Sequence, residues 1–172
     1  MRSRDHQRFT ELFAECSTRV YAFARRQTDA SGADDVVADT FLVAWRRLPD
    51  VPVDDPLPWL LVVARNTIAN RRRTTARSAR LTLELMALER LAAPVSSADS
   101  AVLARQDVLS ALAALTDLER EAVLLVAWDG LTAVQAATVA GCSPHAFTVR
   151  LQRARQRLHH MASAHLTDLE QA

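Results

Sequence analysis

Apolar residues recur at intervals of three and four from the start of the chain. Phe9, Leu12, Phe13, Cys16, Val20, Phe23 and Ala24 form one stripe of an amphipathic helix running roughly from Asp5 to Gln27. A turn at Thr28 to Gly32 follows. Ser31 and Asp34 have capping-box spacing, so a second helix is expected to open there, and Val36, Val37, Thr40, Phe41, Ala44, Trp45 and Leu48 carry its stripe to Pro49. Three prolines between Pro49 and Pro56 exclude regular structure in that stretch. Asp55 is placed to cap a third helix opening at Pro56, where a missing N–H costs nothing. Trp59, Leu60, Val63, Ala64, Thr67 and Ile68 face inward on it, and its C-terminal part turns basic.

The signal weakens after Leu81. Leu81 to Leu91 suits a short helix, whereas Ala92 to Ser100 is a run of small and polar residues that reads as a linker and a domain boundary. Beyond it the punctuation is explicit. Thr116-Asp-Leu-Glu119 is a capping box for a helix reaching about Trp128, with Gly130 as its terminator. Thr132-Ala-Val-Gln135 is a second capping box, Gly141 ends that short helix, and Ser143-Pro144 supplies the N-cap and first-turn proline of the last one.

Composition agrees with helices throughout. The 172 residues include 31 Ala but only 3 Gly and 6 Pro, too few turn formers for a many-stranded sandwich or barrel. An all-α chain of two small domains is expected. No apolar stretch is long enough to span a bilayer, and no secretory leader stands at the N-terminus, so a soluble, cytoplasmic protein without membrane insertion is expected. Cys16 and Cys142 lie far apart with no metal-ligand spacing around either, which suits two buried thiols better than a disulfide, a zinc site or a redox pair. No nucleophile triad, phosphate loop or paired-carboxylate pattern points to an enzyme, and no cofactor or metal is implied.

The net charge of +1 conceals a strong asymmetry. Residues 65–80 hold six Arg and no acid, and residues 143–160 hold four Arg and no acid, while acids dominate the segments between and around them. All 21 basic residues are Arg, whose planar fork suits phosphate and guanine. Two basic helices, one per domain, are expected to make separate contacts with one polyanion. The second belongs to a helix-turn-helix over about Ala133 to Gln152, with Ala137 as the small crossing residue and Gly141 in the turn. Phe147, Leu151, Ala154 and Leu158 then point inward. Pro144, His145, Thr148, Arg150, Arg153, Arg155 and Arg157 are left outside or flanking, the last three suiting phosphates more than bases.

Asp34-Asp-Val-Val-Ala-Asp-Thr-Phe-Leu-Val-Ala-Trp45 and Pro58-Trp-Leu-Leu-Val-Val-Ala-Arg-Asn-Thr-Ile-Ala-Asn-Arg-Arg-Arg73 resemble domain 2 of the bacterial sigma-70 family, in its extracytoplasmic-function (ECF) group. Leu115 to Leu125, Asp129-Gly-Leu-Thr132, Gly141-Cys-Ser143 and Arg150 to Leu158 resemble that family's domain 4. The resemblance divides the chain into domain 2 at 5–78, a flexible linker at 79–105 and domain 4 at 106–164. It implies a transcription initiation factor that binds core RNA polymerase and directs it to promoter DNA. The core-binding residues would be Asp35, Val36, Asp39, Phe41 and Trp45, with Phe41 and Trp45 mostly serving the core. Asp54, from the proline-rich loop, and Arg65, Asn66, Asn70, Arg71, Arg72 and Arg73 would meet the -10 element. Ser143, Pro144, His145, Thr148, Arg150, Arg153 and Arg155 would meet the -35 element.

The chain departs from the family pattern at Ala38-Asp39, at Ala133 and Ala136, and at His145, Phe147 and Thr148, and the last three bear on which promoters are read. The family's usual domain between 2 and 4 is absent, so residues 81–105 would be a linker threading the polymerase cleft, where the acids Glu84, Glu89 and Asp99 suit mimicry of nucleic acid. The resemblance also implies an anti-sigma partner and a monomeric free state. A stand-alone helix-turn-helix regulator, dimerised through its N-terminal helices, is the alternative expectation.

Overall fold

A computed structural model describes residues 2–75 and 108–170, which belong to two compact units, Met1–Leu91 and Ala92–Ala172. All regular structure among the described residues is helical. The possible helix at 81–91 and the linker residues lie outside the described residues.

In the first unit α1 (Arg2–Arg25), α2 (Ala30–Arg46) and α3 (Leu57–Thr75) each pack on the other two. Their shared core is Leu12, Cys16, Val20, Phe23 and Ala24 from α1, Ala33, Val36, Phe41 and Ala44 from α2, and Leu57, Leu60, Leu61, Ala64 and Ile68 from α3. These are the three- and four-residue spacings of the sequence. Burying a side chain such as Phe23 or Ile68 contributes about 1.5–3 kcal/mol. Phe13 and Trp45 differ from expectation, remaining 44% and 43% exposed.

The start of α2 is set by Asp29 and not by Ser31. Asp29 is extended (φ −72°, ψ −178°) and its Oδ1 accepts the Gly32 N–H at 2.7 Å, which draws Ala30 and Ser31 into the first turn. Ser31 has only the spacing of a capping box, without the Glu or Gln that would reciprocate. Gly32 also has a steric reason to be glycine, because a Cβ there would lie 2.8 Å from Asp29 Oδ1. The third helix, by contrast, opens one residue later than Asp55 and Pro56 suggest: Pro56 is the cap residue, its carbonyl accepting the Leu60 N–H at 3.1 Å. Between α2 and α3 a single 3-10 turn (Leu48–Asp50) buries Leu48, and the Arg8 guanidinium holds the loop by donating to the Val51 carbonyl.

In the second unit a helical stretch at 108–113 precedes α4 (Asp117–Ala127), α5 (Ala133–Ala140) and α6 (Pro144–Glu170). Both expected capping boxes are present, Thr116 with Glu119 and Thr132 with Gln135. The two expected glycine terminators are left-handed, Gly130 at φ 66° and Gly141 at φ 67°. After each, a backbone N–H closes back on the helix, Leu131 to Leu125 O at 3.1 Å and Cys142 to Ala137 O at 3.1 Å. The core is Leu115, Ala122, Leu125, Leu131, Ala136, Ala137, Val139, Ala140, Phe147, Leu151 and Ala154. Its alanines let α5 and α6 approach closely, and Phe147 is the one large ring sealed among them. Arg120 is structural: its fork donates to the carbonyls of Leu112, Ala113 and Leu115 at 2.7–3.2 Å, finishing the 108–113 stretch.

Candidate nucleic-acid and polymerase-binding faces

Asp35 and Asp39 stand one turn apart on α2 and share one partner. Arg71, reaching from α3, donates through Nη1 to Asp35 Oδ2 at 2.7 Å and through Nη2 to Asp39 Oδ2 at 2.9 Å, with Nε at 3.3 Å from the same oxygen. The hydrogen bonds to Asp35 and then Asp39 raise the Arg71 pKa, fixing its charge more firmly. Sequence reading assigns the two acids to polymerase and the arginine to DNA, and the structure joins all three.

Beside this clasp lies an aromatic ledge. Trp45 meets the Phe9 ring edge-on at 5.1 Å and the His6 ring at 6.2 Å, and Phe13 meets Phe41 at 4.8 Å. Exposed Leu42 continues it on α2. Phe41, at 3% exposure, has the mostly core role expected of it, whereas Val36, at 0%, is corrected here: both lie beneath this face and support it from within. Trp45 is accessible, contrary to a mostly core role. Phe9, Phe13, Leu42 and His6 are additions that the α1 stripe hinted at only through the i, i+4 pair of Phe9 and Phe13.

On α3, Asn66, Asn70 and Arg73 are exposed at i, i+4 and i+7, the spacing of one helix face, with exposed Arg72 beside them and Arg65 half-buried. Arg72 donates through Nη2 to the Gln27 carbonyl at 3.1 Å. Asp54 is exposed in the loop before this helix, next to the protruding Val53.

The start of α6 is prepared as expected. Ser143 Oγ accepts the Ala146 N–H at 3.2 Å, Pro144 takes the first turn, and Phe147, Leu151 and Ala154 are buried. His145, Thr148, Gln152 and Arg155 are exposed at spacings of three, four and three, a continuous outward face. Thr148 Oγ1 donates to the Pro144 carbonyl at 2.9 Å, so what it presents outward is an acceptor and a methyl group, the latter suited to thymine. Arg150 is half-buried.

The arginines further along do not fan out alike. Arg157 donates to Glu119 Oε2 at 3.1 Å, tying α6 to the cap of α4. Arg153 and Arg157 line an open groove of about 500 Å³ with Ala114, Gln156, His160 and Met161, while Arg155 belongs to the outward face. Glu119 is itself buried, and the Thr116 backbone N–H and hydroxyl donate to it at 3.1 and 2.9 Å. These bonds, then the charges of Arg157 and Arg153, hold its pKa below the usual carboxylate value. Among the described residues no cluster of His, Cys, Asp or Glu suits a metal ion, and no helix is long and apolar enough to cross a membrane.

Comparison with known proteins matches both halves. The family described as Sigma-70 region 2 matches residues 12–78, and Sigma-70, region 4 matches residues 105–158. The ECF RNA polymerase sigma factor SigC of Mycobacterium tuberculosis is 32% identical over 169 residues, covering 94% of this chain and 86% of that protein. The RNA polymerase sigma factor CarQ of Myxococcus xanthus is 33% identical over 154 residues, covering 87% and 86%. Among solved structures, the sigma factor RpoE bound to the anti-sigma factor NepR from Bartonella quintana is similar at a TM-score of 0.64 and 26% identity, over 90% of this chain and 96% of that one. CnrH in complex with the cytosolic domain of CnrY is similar at a TM-score of 0.58 and 30% identity, over 91% and 88%. A region 2 match in front of the helix-turn-helix disfavours a stand-alone regulator. With two helical units in the family's order and relatives spanning nearly the whole chain, this protein belongs to the ECF group of the sigma-70 family, the promoter-directing subunits of bacterial RNA polymerase.

Proposed function

We propose that this sigma factor divides its work among three faces. The clasped acids Asp35 and Asp39, with the ledge of Trp45, Leu42, Phe9 and Phe13, engage core RNA polymerase. The exposed α3 stripe of Asn66, Asn70 and Arg73, with Arg65, Arg72 and Asp54 around it, engages the opened -10 element. His145, Thr148 and Arg155 on α6 read the -35 major groove, with Ser143 and Pro144 setting the start of the helix, Arg150 beside it and Arg153 toward neighbouring phosphate. The working division is a domain over 5–78, a linker over 79–105 and a domain over 106–164.

The observation that carries this reading is the pairing, in one chain, of an acidic and aromatic α2 face with an N-capped recognition helix whose outward side chains are free of core duties. Unstacking each base of the -10 strand costs a few kcal/mol, so a polar and cationic stripe must offset it, and asparagines with arginines provide base-edge and phosphate contacts together. The chain performs no bond chemistry itself, leaving catalysis to the polymerase. It acts in the cytoplasm, monomeric when free. An anti-sigma protein is its natural antagonist, by analogy with the similar solved structures, in which CnrH is bound to the cytosolic domain of CnrY and RpoE to the anti-sigma factor NepR.

The test is co-elution with core polymerase followed by transcription from a promoter template. Asp39→Arg is expected to abolish co-elution. His145→Ala combined with Arg155→Ala is expected to leave co-elution intact and to reduce initiation at promoters that depend on a -35 element. Failure of the unaltered chain to form holoenzyme, or loss of DNA affinity alone in both variants, overturns the reading.

A further inference from the structure

We propose that Arg71 is an exchange residue: in the free chain it occupies the two carboxylates that polymerase needs, and those carboxylates occupy the arginine that promoter DNA needs, so each engagement must open the same clasp. This rests on the assignment of Asp35 and Asp39 to polymerase and of the α3 end to DNA. Three observations support it. The fork is committed, since Nε, Nη1 and Nη2 of Arg71 all point N–H groups at Asp35 and Asp39. A phosphate therefore gains the two-point Nε/Nη2 edge of the fork only by displacing the Asp39 carboxylate. The clasp is nevertheless accessible, with side-chain exposures of 39% for Arg71, 57% for Asp35 and 48% for Asp39. Exposed ion pairs of this kind are weak, each changing an equilibrium by about 1.4- to 5-fold. Finally, the cluster is unbalanced, two carboxylates against one guanidinium, so a basic partner surface is still attracted while the clasp is closed. The neighbouring Arg72 is held on the Gln27 carbonyl, which leaves Arg73 as the exposed arginine ready to make first contact with a phosphate.

A clasp that only fastens α3 onto α2 and a clasp that exchanges predict opposite signs. Fastening alone means that removing Arg71 loosens the face and weakens polymerase binding. Exchange means that Arg71→Gln frees Asp35 and Asp39 and tightens polymerase binding, by about two- to 25-fold for two exposed pairs. Reciprocally, Asp35→Asn with Asp39→Asn frees the arginine, so the free chain binds a single-stranded oligonucleotide more tightly, with a salt dependence steeper by about 0.7 in the log–log slope, the share of one phosphate contact.

The experiment uses the full chain. Polymerase binding is titrated for the unaltered protein and Arg71→Gln by competition for core enzyme. Oligonucleotide binding is measured against salt for the unaltered protein, Asp35→Asn/Asp39→Asn, the same pair with Arg71→Gln, and the charge-matched control Asp5→Asn/Asp34→Asn. Tighter polymerase binding by Arg71→Gln, together with a steeper salt slope that disappears when Arg71 is also replaced and is absent from the control, supports exchange. Weakened or unchanged polymerase binding by Arg71→Gln, or the same slope in the control, overturns it. Absence of polymerase binding by the unaltered chain instead defeats the functional reading beneath it.

Discussion

Thr40 offers a test of the first unit's core in which the sign itself is at stake. It lies on α2 next to Asp39, is 0% exposed, and its Oγ1 has no hydrogen-bond partner among the described residues. A buried hydroxyl without a partner costs about 1–3 kcal/mol. Valine has the same branched shape and nearly the same helix propensity, and its extra methyl gains burial worth about 0.8 kcal/mol. Thr40→Val is therefore expected to stabilise the unit by about 2–4 kcal/mol, whereas Thr40→Ser, which keeps the hydroxyl and loses the methyl, is expected to destabilise it by about 1 kcal/mol. A small domain shifts its Tm by roughly 4–8 °C per kcal/mol, so the effect is large against experimental scatter. Urea unfolding followed by tryptophan fluorescence reads this unit, because Trp59 is half-buried there and Trp45 rests on Phe9, while Trp128 of the other unit is 73% exposed. A higher midpoint at unchanged slope is the expected result. A lowered or unmoved midpoint for Thr40→Val refutes the reasoning, since it means the hydroxyl is satisfied in solution.

Three other outcomes follow from particular contacts. Phe147→Ala removes the one large ring from an alanine-rich core and is expected to cost about 3–5 kcal/mol, seen in hydrogen exchange as lost protection in α4 to α6 with α1 to α3 unchanged. Glu119 has a folded pKa below its unfolded value, so its contribution is complete above the unfolded pKa and is lost as pH falls through the folded one. Acid should lower the second unit's unfolding midpoint as the pH falls below the ordinary glutamate range, and Glu119→Gln should flatten that slope, an unchanged slope counting against the cap. Cys142 is half-buried and not the sealed thiol its sequence suggests, while burial, and after it the charge of Glu15, pushes the Cys16 thiol pKa up, so a maleimide reagent at neutral pH should label Cys142 well before Cys16. Equal labelling would contradict the packing of α1.

Features that act within a few residues are legible in the sequence, and pairings between distant residues are not. Thr116, Thr132, Gly130, Gly141 and Ser143 each act within five residues, and each does in the structure what its neighbours require. Ser31 misled because Asp29, two residues earlier, offers a carboxylate to the same stretch of unpaired N–H groups, and the spacing alone does not rank the two. Phe13 and Trp45 misled for another reason. Periodicity finds the axis of an apolar stripe but not its edge, and both residues sit where the stripe meets solvent. The pairing of Arg71 with Asp35 and Asp39, and of Arg157 with Glu119, spans 32 to 38 residues, and no local pattern announces it. Those pairs change the site most: one joins two faces that seemed separate, and the other withdraws an arginine from the DNA side.

The last helix keeps two sets of residues apart. Phe147, Leu151 and Ala154 are sealed inside, His145, Thr148, Gln152 and Arg155 are outside, and none of the four outward side chains is tied to the core. Substitutions at such surface positions usually change stability by less than about 0.5 kcal/mol. A duplicated copy of this gene can therefore wander through alternative promoter vocabularies one residue at a time, with folding never acting as the gatekeeper. Divergence of the acid and aromatic face has no such freedom, because Phe41 and Val36 hold it up from within, and a new dialect is expected to arise in α6 long before a new allegiance arises in α2.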